Sequence, residues 1–401
     1  MRHPWLILIC FFLPLIVFGQ TINISGKVIN AGSKDGIPKA NVFLSNSSFG
    51  TETAEDGSFT LANVKPGQYQ LVVSYIGYTD YTQTIFVGKD PMSLTIPLSP
   101  KMMSLRGVVI SSNADWKKNY ELFKKEFIGT SQNSKECDVV NPHVMSFVYH
   151  GRKKVLEAWS DEFLVMENHA LGYRVKFLVD TFSSDGLAGI ISWQGKALFQ
   201  DLPGSAEQKK IWKQRREDTY YGSSRHFFKS LYSNTLTQEG FIMLKLSRQP
   251  NPARPDEEII QQKIKKSKEA GNRDSLNYWI MKENLSKYAN EFLNRNPLQP
   301  FQVFSRTNTA GMFVLSFTDC LYVIYTKRRE ETDFKDLYRP LDMPNYETSV
   351  LTLYKPYAVF DMNGVVFDGS PLNEGTWSKA KLAELLPLNY SPDDDSSDKK
   401  P

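Results

Sequence analysis

Apolar and polar residues alternate in short segments between residues 22 and 99. The first segment, INISGKVIN, places Ile22 and Ile24 on one face of a predicted strand, because successive side chains of a strand point to opposite faces. Asp56–Gly57 lies between two such segments and predicts a hairpin, since this kind of turn needs residues that tolerate a positive φ. Short strands separated by turns at this spacing predict a small β-sandwich.

A helical spacing replaces the alternation after residue 113. The segment 114–129 repeats aromatic residues every three or four positions and ends on Gly129. This pattern predicts an amphipathic helix with an aromatic stripe packed on a core. The stripe consists of Trp116, Tyr120, Phe123 and Phe127.

Strand and helix patterns then follow one another to the end of the chain. Five strand-like segments fill residues 139–200, and helices are predicted at 205–216 and 223–236. Ser223 or Ser224 is the predicted N-cap of the second of these helices, because a serine side chain can accept a hydrogen bond from the first free amides.

Residues 254–294 are highly charged and are predicted to form an exposed helical insertion, divided at Gly271–Asn272. Strand patterns precede it at 240–249 and follow it at 301–305, 312–327 and 349–355. The predicted fold is therefore an N-terminal all-β sandwich followed, over residues 113–390, by an α+β domain with a mostly antiparallel sheet.

Five N-terminal segments resemble the carboxypeptidase regulatory-like domain. They are GKV (26–28), IPKANVFL (37–44), TETAEDGSF (51–59), PGQYQL (66–71) and SYIGY (74–78). That family has a transthyretin-like sandwich fold and occurs at the N-termini of cell-envelope proteins of Gram-negative bacteria. The resemblance implies a domain at residues 20–99 with a linker at 100–112, and it implies no catalytic residues, because the module has none of its own.

The second domain resembles the partner region of a group of envelope proteins that carry this regulatory domain. The similar segments are NPHVMSFVY, ENHALGYRVKFLV, YYGSSRHFFKSLY and WSKAKLAELLPLNY. The group has no established reaction, so the resemblance implies no catalytic residues for this chain.

Residues 1–19 have the pattern of a secretory signal peptide: a short basic patch, an apolar run and the small residue Gly19. Cys10 lies inside the apolar run and not at its end, which disfavours a lipoprotein. No later stretch is long and apolar enough for a membrane-spanning helix. The protein is therefore predicted to be exported, to the periplasm or in association with the outer membrane.

Composition and charge are those of an ordinary globular protein, with 41% hydrophobic and 23% charged residues and a net charge of +4. So small a charge gives no indication of nucleic-acid binding. Basic clusters at 209–216, 263–268 and 327–329 are interpreted as solvated helix faces and loop ends, and residues 391–401 as a polar tail. The predicted partner is another envelope protein or an exported ligand.

Two cysteines remain after the predicted signal peptide, Cys137 and Cys320. In an oxidising compartment they could form a disulfide that closes a very long loop. Two buried free thiols agree equally well with their apolar neighbours. The sequence leaves both alternatives open.

The patterns of three kinds of enzyme site are missing. A zinc carboxypeptidase takes its first ligands from H-x-x-E, and none of four histidines has Glu at that position: His143, His150, His169 and His226. The serine-hydrolase motif G-x-S-x-G does not occur, and Ser223 and Ser224 near His226 are interpreted as a helix cap. Residues 189–197 have five residues between their glycines, one more than a phosphate-binding loop. No cofactor or metal site is predicted.

The stretch YAVFDMNGVVFDG resembles the D-x-D-G motif of haloacid-dehalogenase-type phosphatases at Asp361–Gly364. Asn363 stands where the motif has its proton-donating acid, and an amide cannot donate that proton. The residues after Asp361 are also too few for the doubly wound domain that such enzymes need. Asn363–Gly364 between two apolar segments instead predicts a type I′ hairpin.

These observations favour an exported, non-enzymatic binding or scaffolding protein of the cell envelope. Edge strands of the sandwich could pair with a partner strand, and the helical insertion could offer another docking surface. The alternative is a secreted, peptidase-like hydrolase with its site in the second domain. Asp161, Glu167 and His169 are the first residues to inspect for such a site.

Overall fold

The computed structural model describes residues 22–101, 113–151, 153–309, 311–330 and 343–392. The predicted signal peptide, most of the predicted linker and the tail from residue 393 onward lie outside these ranges. Every helix in the described ranges is too short or too polar to cross a membrane.

The N-terminal domain is a β-sandwich, as predicted. Its strands are β1 (Ile22–Asn30), β2 (Asn41–Leu44), β3 (Gly50–Glu52), β4 (Ser58–Val64), β5 (Gly67–Ser74), β6 (Tyr81–Val87) and β7 (Met92–Leu98). One sheet has the order β4-β1-β7 and the other β3-β2-β5-β6. The pairs are antiparallel except β1 with β7, which is parallel.

Alternate residues of these strands, such as Ile24 and Leu71, are fully buried between the two sheets. The prediction of a hairpin at Asp56–Gly57 is wrong. Gly57 does have a positive φ, 82°, but the strands on either side, β3 and β4, belong to different sheets. The turn therefore carries the chain across the sandwich, an outcome that turn residues alone cannot distinguish from a hairpin.

The second domain begins with a helix packed on a six-stranded sheet. Its elements are α1 (Asn113–Phe123), β8 (Cys137–Val139), β9 (Met145–His150), β10 (Val155–Ser160), β11 (Leu164–Asn168), β12 (Tyr173–Asp185) and β13 (Ile190–Asp201). The sheet order is β8-β11-β12-β10-β9, and β13 pairs with the opposite edge of the long strand β12.

The predicted aromatic helix is confirmed. α1 continues as a π-helical turn to Ile128 and ends at Gly129, whose φ is 109°. Phe123 and Phe127 are fully buried, with ring centroids 4.8 Å apart, in the core that α1 forms with the six-stranded sheet.

The chain then forms further helices and two more antiparallel sheets. The elements are α2 (Ala206–Tyr220), α3 (Ser224–Ser233), α4 (Leu236–Glu239), β14 (Phe241–Pro250), α5 (Glu257–Glu269), α6 (Arg273–Glu283), β15 (Tyr288–Asn294), β16 (Phe304–Arg306), β17 (Met312–Leu315), β18 (Cys320–Arg329), β19 (Tyr346–Thr352), β20 (Ala358–Asp361), β21 (Val366–Asp368), β22 (Leu372–Gly375) and α7 (Thr376–Lys379). The sheet orders are β15-β14-β18-β19-β22 and β16-β17-β20-β21. The predicted α+β class is confirmed.

The charged insertion contains the helical hairpin of α5 and α6, but its last part is not helical. Residues 288–294 form β15, which pairs antiparallel with β14 and places Phe292 opposite Ser247. The segment YANEFLN has too few apolar residues to show strand periodicity. Its conformation is decided by the hydrogen bonds offered to its backbone by β14, which precedes the α5–α6 hairpin in the chain.

The hairpin at Asn363–Gly364 is confirmed, but its turn is not of type I′. That turn needs a positive φ at both central residues, and of these two only Gly364 has one, 78°. The Gly364 amide donates to the Asp361 carbonyl at 3.0 Å, and the Asp361 amide donates to the Val365 carbonyl at 3.0 Å. The β20–β21 pair also has a register shift between Val359 and Phe360, which lie opposite Asp368 and Val366 and so leave Phe367 as the extra residue.

Candidate functional site

The two domains meet through backbone hydrogen bonds. The amide of Asn46 donates to the carbonyl of Ala197 at 2.7 Å, and the amide of Phe199 donates to the carbonyl of Ser47 at 2.9 Å. On the other side of this turn, the amide of Leu388 donates to the carbonyl of Asn46 at 2.7 Å. The turn after β2 thus lies between the edge strand β13 and the C-terminal segment. We call this contact the junction; it comprises residues 43–50, 197–199 and 387–390.

Apolar packing supports the junction. A small cluster joins the outer face of the sandwich to the second domain and consists of Phe43, Val72, Phe163 and Leu198. At its rim Ser48 and Asn389 exchange two hydrogen bonds: the Ser48 amide donates to Oδ1 of Asn389 at 2.9 Å, and Nδ2 of Asn389 donates to the Ser48 hydroxyl at 2.8 Å. The domains are therefore held together by both polar and apolar contacts.

The space around Gly50 indicates how tightly the junction is packed. A Cβ at this position would lie 2.6 Å from Cδ1 of the buried Leu198 and 3.2 Å from Cβ of Phe43. Gly50→Ala is therefore expected to destabilise the docked arrangement by about 1–3 kcal/mol, as overpacking usually does. Hydrogen–deuterium exchange of the Asn46 and Phe199 amides should become faster.

Gly88→Ala is the matched control, because nothing lies within 4 Å of the Cβ that it would add. Amide exchange at the junction should be the same in this variant as in the wild type. Unchanged exchange in Gly50→Ala as well would show that the junction is loosely packed.

Arg225 ties the C-terminal segment to the second domain. Ser223 is the N-cap of α3, which places Arg225 in the first turn of that helix. The guanidinium then donates to four backbone carbonyls, those of Asn363, Pro387, Leu388 and Tyr390. Arginine suits this role because its planar head carries five donors in a fixed arrangement. Burial lowers the pKa of Arg225, and the nearby Tyr220 and Asp361 oppose that shift.

Asp361, the first residue of the phosphatase-like motif, is fully buried. Its Oδ1 accepts the amides of Asn363 and Val365, both at 2.9 Å, and its Oδ2 accepts Nδ2 of Asn363 at 3.0 Å. Burial raises the pKa of Asp361, while these hydrogen bonds and Arg225 act in the opposite direction. Nδ2 of Asn363 also donates to the carbonyl of Gln68 at 3.3 Å, so this turn contacts the sandwich. Asp361 and Asn363 therefore stabilise the hairpin turn, and Asn363 also contacts the sandwich.

His226 is buried with both ring nitrogens in contact with polar atoms. Nδ1 accepts the amide of Gly222 at 3.1 Å, and Nε2 lies 3.2 Å from Oε2 of Glu239. Burial lowers the pKa of His226, and Glu239 opposes the shift. The Ser223 hydroxyl accepts the backbone amide of His226 at 3.2 Å, so the predicted helix cap is confirmed.

The three residues named for a hydrolase site do not converge. Nε2 of His169 lies 3.5 Å from Oδ2 of Asp138 and 3.7 Å from Oε2 of Glu167, whereas Asp161 pairs with Lys101 at 2.6 Å. The Asp138 side chain is 81% exposed, so this group of residues lies on the open surface.

The remaining histidines make other contacts. His143 stacks on Trp116 with ring centroids 5.1 Å apart, and Nε2 of His150 lies 3.4 Å from Oε2 of Glu157. In the described part of the chain, no three His, Cys, Asp or Glu side chains are arranged as metal ligands.

Cys137 and Cys320 are free and buried. Cys137 lies in β8 of the six-stranded sheet and Cys320 in β18 of the five-stranded sheet. Burial raises the pKa of the Cys137 thiol to about 12, and Glu384 adds to the shift. Such a thiol is almost entirely protonated at neutral pH and is a poor nucleophile.

The insertion exposes large apolar side chains to solvent. α5 and α6 pack chiefly on each other, with Ile260 and Ile264 of α5 buried between them, so the hairpin projects from the domain. We call its exposed apolar residues, together with that of β15, the insertion surface; they are Ile259, Tyr278, Ile280, Met281 and Phe292. Phe292, on the outer strand of its sheet, is 69% exposed.

Two of these features were not recognised in the sequence. Arg225 lies in the segment RHFFK, where nothing local indicates four distant carbonyl partners. Tyr278 and Met281 have the three-residue spacing of neighbours on a helix face, and this spacing could have identified part of the insertion surface within an otherwise charged segment.

Comparison with known proteins identifies the first domain. Residues 24–110 match the CarboxypepD_reg-like domain family. The N-terminal domain is thus a carboxypeptidase regulatory-like domain, as its sequence motifs indicated, and the match does not extend into the α+β domain. No curated protein matches the chain.

Solved structures give only weak likenesses. A group B streptococcus pilus 2b backbone protein is 19% identical over 20% of this chain and 41% of its own, with a TM-score of 0.18. A putative carbohydrate binding protein from Bacteroides uniformis ATCC 8492 is 9% identical over 46% of this chain and 80% of its own, with a TM-score of 0.18. A putative membrane-associated protein of unknown function from Bacteroides fragilis NCTC 9343 is 9% identical over 89% of this chain and 98% of its own, with a TM-score of 0.17. Scores this low carry no argument about fold or function.

Proposed function

We propose that this protein is an exported, non-enzymatic binding or scaffolding protein of the cell envelope, in the periplasm or associated with the outer membrane. Its partner is another envelope protein or an exported ligand, and the insertion surface is the main contact. The signal-peptide pattern of residues 1–19 supports export. The regulatory-like domain supports a non-catalytic role for the first domain.

The composition of the insertion surface carries this proposal. Fifteen large apolar side chains are exposed in the described residues, and five of them lie within residues 257–294. Single exposed apolar residues are ordinary, but a concentration of them on a projecting element is typical of an interaction site. Tyr278 and Met281 are neighbours on α6 and both are about half exposed, so a partner could contact the two side chains together.

The double variant Tyr278→Ser with Met281→Ser tests the role of this surface. Both side chains are about half exposed, so the fold should be unaffected, whereas the apolar contact with a partner is removed. In an affinity capture from the envelope fraction of the source cells, we expect the wild-type mature chain to retain a specific partner. The double variant should retain at least about tenfold less, because each lost anchor typically costs 1 kcal/mol or more.

Ile211→Ser with Tyr354→Ser is the control, since these two exposed apolar residues lie on other elements. This control variant should retain as much of the partner as the wild type does. Equal loss in both variants, or no specific partner for the wild type, would contradict the proposal. Hydrolysis of a peptide or ester by the purified wild type, abolished by a chelator, would favour the hydrolase alternative instead.

A further inference from the structure

The chain after α7 crosses the whole molecule within a few residues. Trp377, in α7, lies in the core that α3 forms with the last two sheets. Leu382 and Ala383 lie in the core of α1 and the six-stranded sheet. Asn389 then reaches the sandwich at the junction. We call residues 381–390 the strap, because they join the second domain to the sandwich.

The strap is held by contacts with distant residues and not by a sheet. Its residues, all of which the structure describes, form one 3-10 turn and no strand. Nδ2 of the buried Asn168 donates to the carbonyl of Ala383 at 2.9 Å. Arg225 donates to three carbonyls nearer the end of the strap. Extended peptide ligands are bound in the same way, through main-chain hydrogen bonds and buried side chains.

The strap begins at an exposed point of the chain. Lys379 and Ala380 are exposed, whereas Trp377 before them and Leu382 after them are buried. Backbone hydrogen bonds within the strap join residues three positions apart. The strap could therefore leave its groove by rotation about residues 379–380 without breaking the pairing between any two strands.

The sandwich depends on the strap for much of its docking. Three hydrogen bonds to the sandwich come from the strap: one joins the Leu388 amide to the Asn46 carbonyl, and two join Asn389 to Ser48. Two more come from β13, and the apolar cluster beside them has four members. Interfaces between domains of one chain permit relative motion unless they are large and apolar. Loss of the strap should therefore loosen the junction.

We propose that the strap is a detachable clasp, bound in its groove as a peptide ligand is, and that the sandwich stays docked on the second domain only while the strap is bound. Its two ends act on different parts of the molecule. Leu382 and Ala383 anchor it in the helix–sheet core, and Leu388 and Asn389 hold the sandwich. Release of the strap lets the two domains separate while both remain folded. The insertion surface takes no part, so this proposal can fail or succeed separately from the proposed binding function.

Cutting the full chain at the start of the strap tests the proposal. A recognition sequence for a site-specific protease is inserted between Lys379 and Ala380 and cleaved in the folded mature chain, and the strap is removed by gel filtration at low concentration. Hydrogen–deuterium exchange of the Asn46 and Phe199 amides should then become at least about tenfold faster, because the hydrogen bonds from the strap are lost. Amides of β5 and β12, which lie inside their sheets, should exchange as in the uncut protein.

A synthetic peptide of residues 380–392, added to the cut protein, should restore slow exchange at the junction. The same peptide with Leu382→Asp should not, because the leucine side chain is buried and a carboxylate there would have to be desolvated. The matched control carries the recognition sequence between Gly271 and Asn272, at the exposed turn of the insertion. Cleavage there should leave exchange at the junction unchanged.

Unchanged exchange of the Asn46 and Phe199 amides after removal of the strap would overturn the proposal, because the sandwich would then be docked without it. Faster exchange throughout β5 and β12 would also overturn it, since the strap would then be an inseparable part of the fold. So would a strap that cannot be removed without unfolding the protein.

Discussion

Replacing Arg225 by methionine is expected to lower the free energy of unfolding of the second domain by about 3–5 kcal/mol, the usual effect of removing one member of a buried polar network. Methionine retains an apolar stem but donates no hydrogen bond. Four backbone carbonyls, in the hairpin turn and in residues 387–390, would lose their shared donor. The C-terminal segment would then be held mainly by Asn46 and Ser48 of the sandwich.

Urea unfolding followed by tryptophan fluorescence measures this effect. The sandwich contains no tryptophan, so after the predicted signal peptide every tryptophan reports on the second domain. Arg174→Met is the control: Arg174 is 46% exposed and pairs with Glu167 on the surface, so its loss should cost less than about 1 kcal/mol. Similar effects of the two substitutions would show that the network around Arg225 contributes little.

The second large effect is expected at Asp361. In Asp361→Asn an amide nitrogen, which is a donor, replaces one of the two accepting carboxylate oxygens. It would face another donor, either a backbone amide or Nδ2 of Asn363. At least one buried hydrogen bond is lost, so the unfolding free energy at about pH 7 should fall by about 2 kcal/mol. Asp161→Asn, at an exposed ion pair with Lys101, should change it by less than about 0.5 kcal/mol.

The effect of Asp361→Asn should also depend on pH with a definite sign. Burial raises the pKa of Asp361 above its ordinary value of 3.8, so the folded protein holds the proton more tightly than the unfolded chain. The stability contributed by this group is full below pH 3.8 and is lost as the pH rises through the folded-state pKa. Asparagine does not titrate. The difference in unfolding free energy between the wild type and the variant should therefore be larger near about pH 4 than near about pH 7. A difference that increases with pH would contradict the raised pKa.

The predicted features that the structure confirms are those with a local physical cause. Ile24 and Leu71 lie in the sandwich core because a strand turns every second side chain to the same face. Phe123 and Phe127 lie in the helix–sheet core because residues four apart share one face of a helix. The serine cap of α3 and the glycine stop after α1 depend only on residues within one turn.

The features that were missed or misassigned depend on distant partners. β15 has a weak strand pattern and is formed by its pairing with β14. The turn at Asp56–Gly57 connects strands of two different sheets, because β3 and β4 pair with strands on opposite sides of the sandwich. Asn363–Gly364 marks a hairpin in the sequence, but the turn type depends on a buried Asp361 that binds the following amides.

The sequence by itself determined the order of the two domains, the regulatory-like sandwich and the α+β class of the remainder, because periodicity and turn residues act over a few positions. The tertiary structure decided where Arg225 finds its four carbonyls and how residues 45–48 join β13. Such contacts link segments far apart in the chain, and they are made by backbone groups that every residue carries. Side-chain identity therefore cannot predict them until the chain has folded.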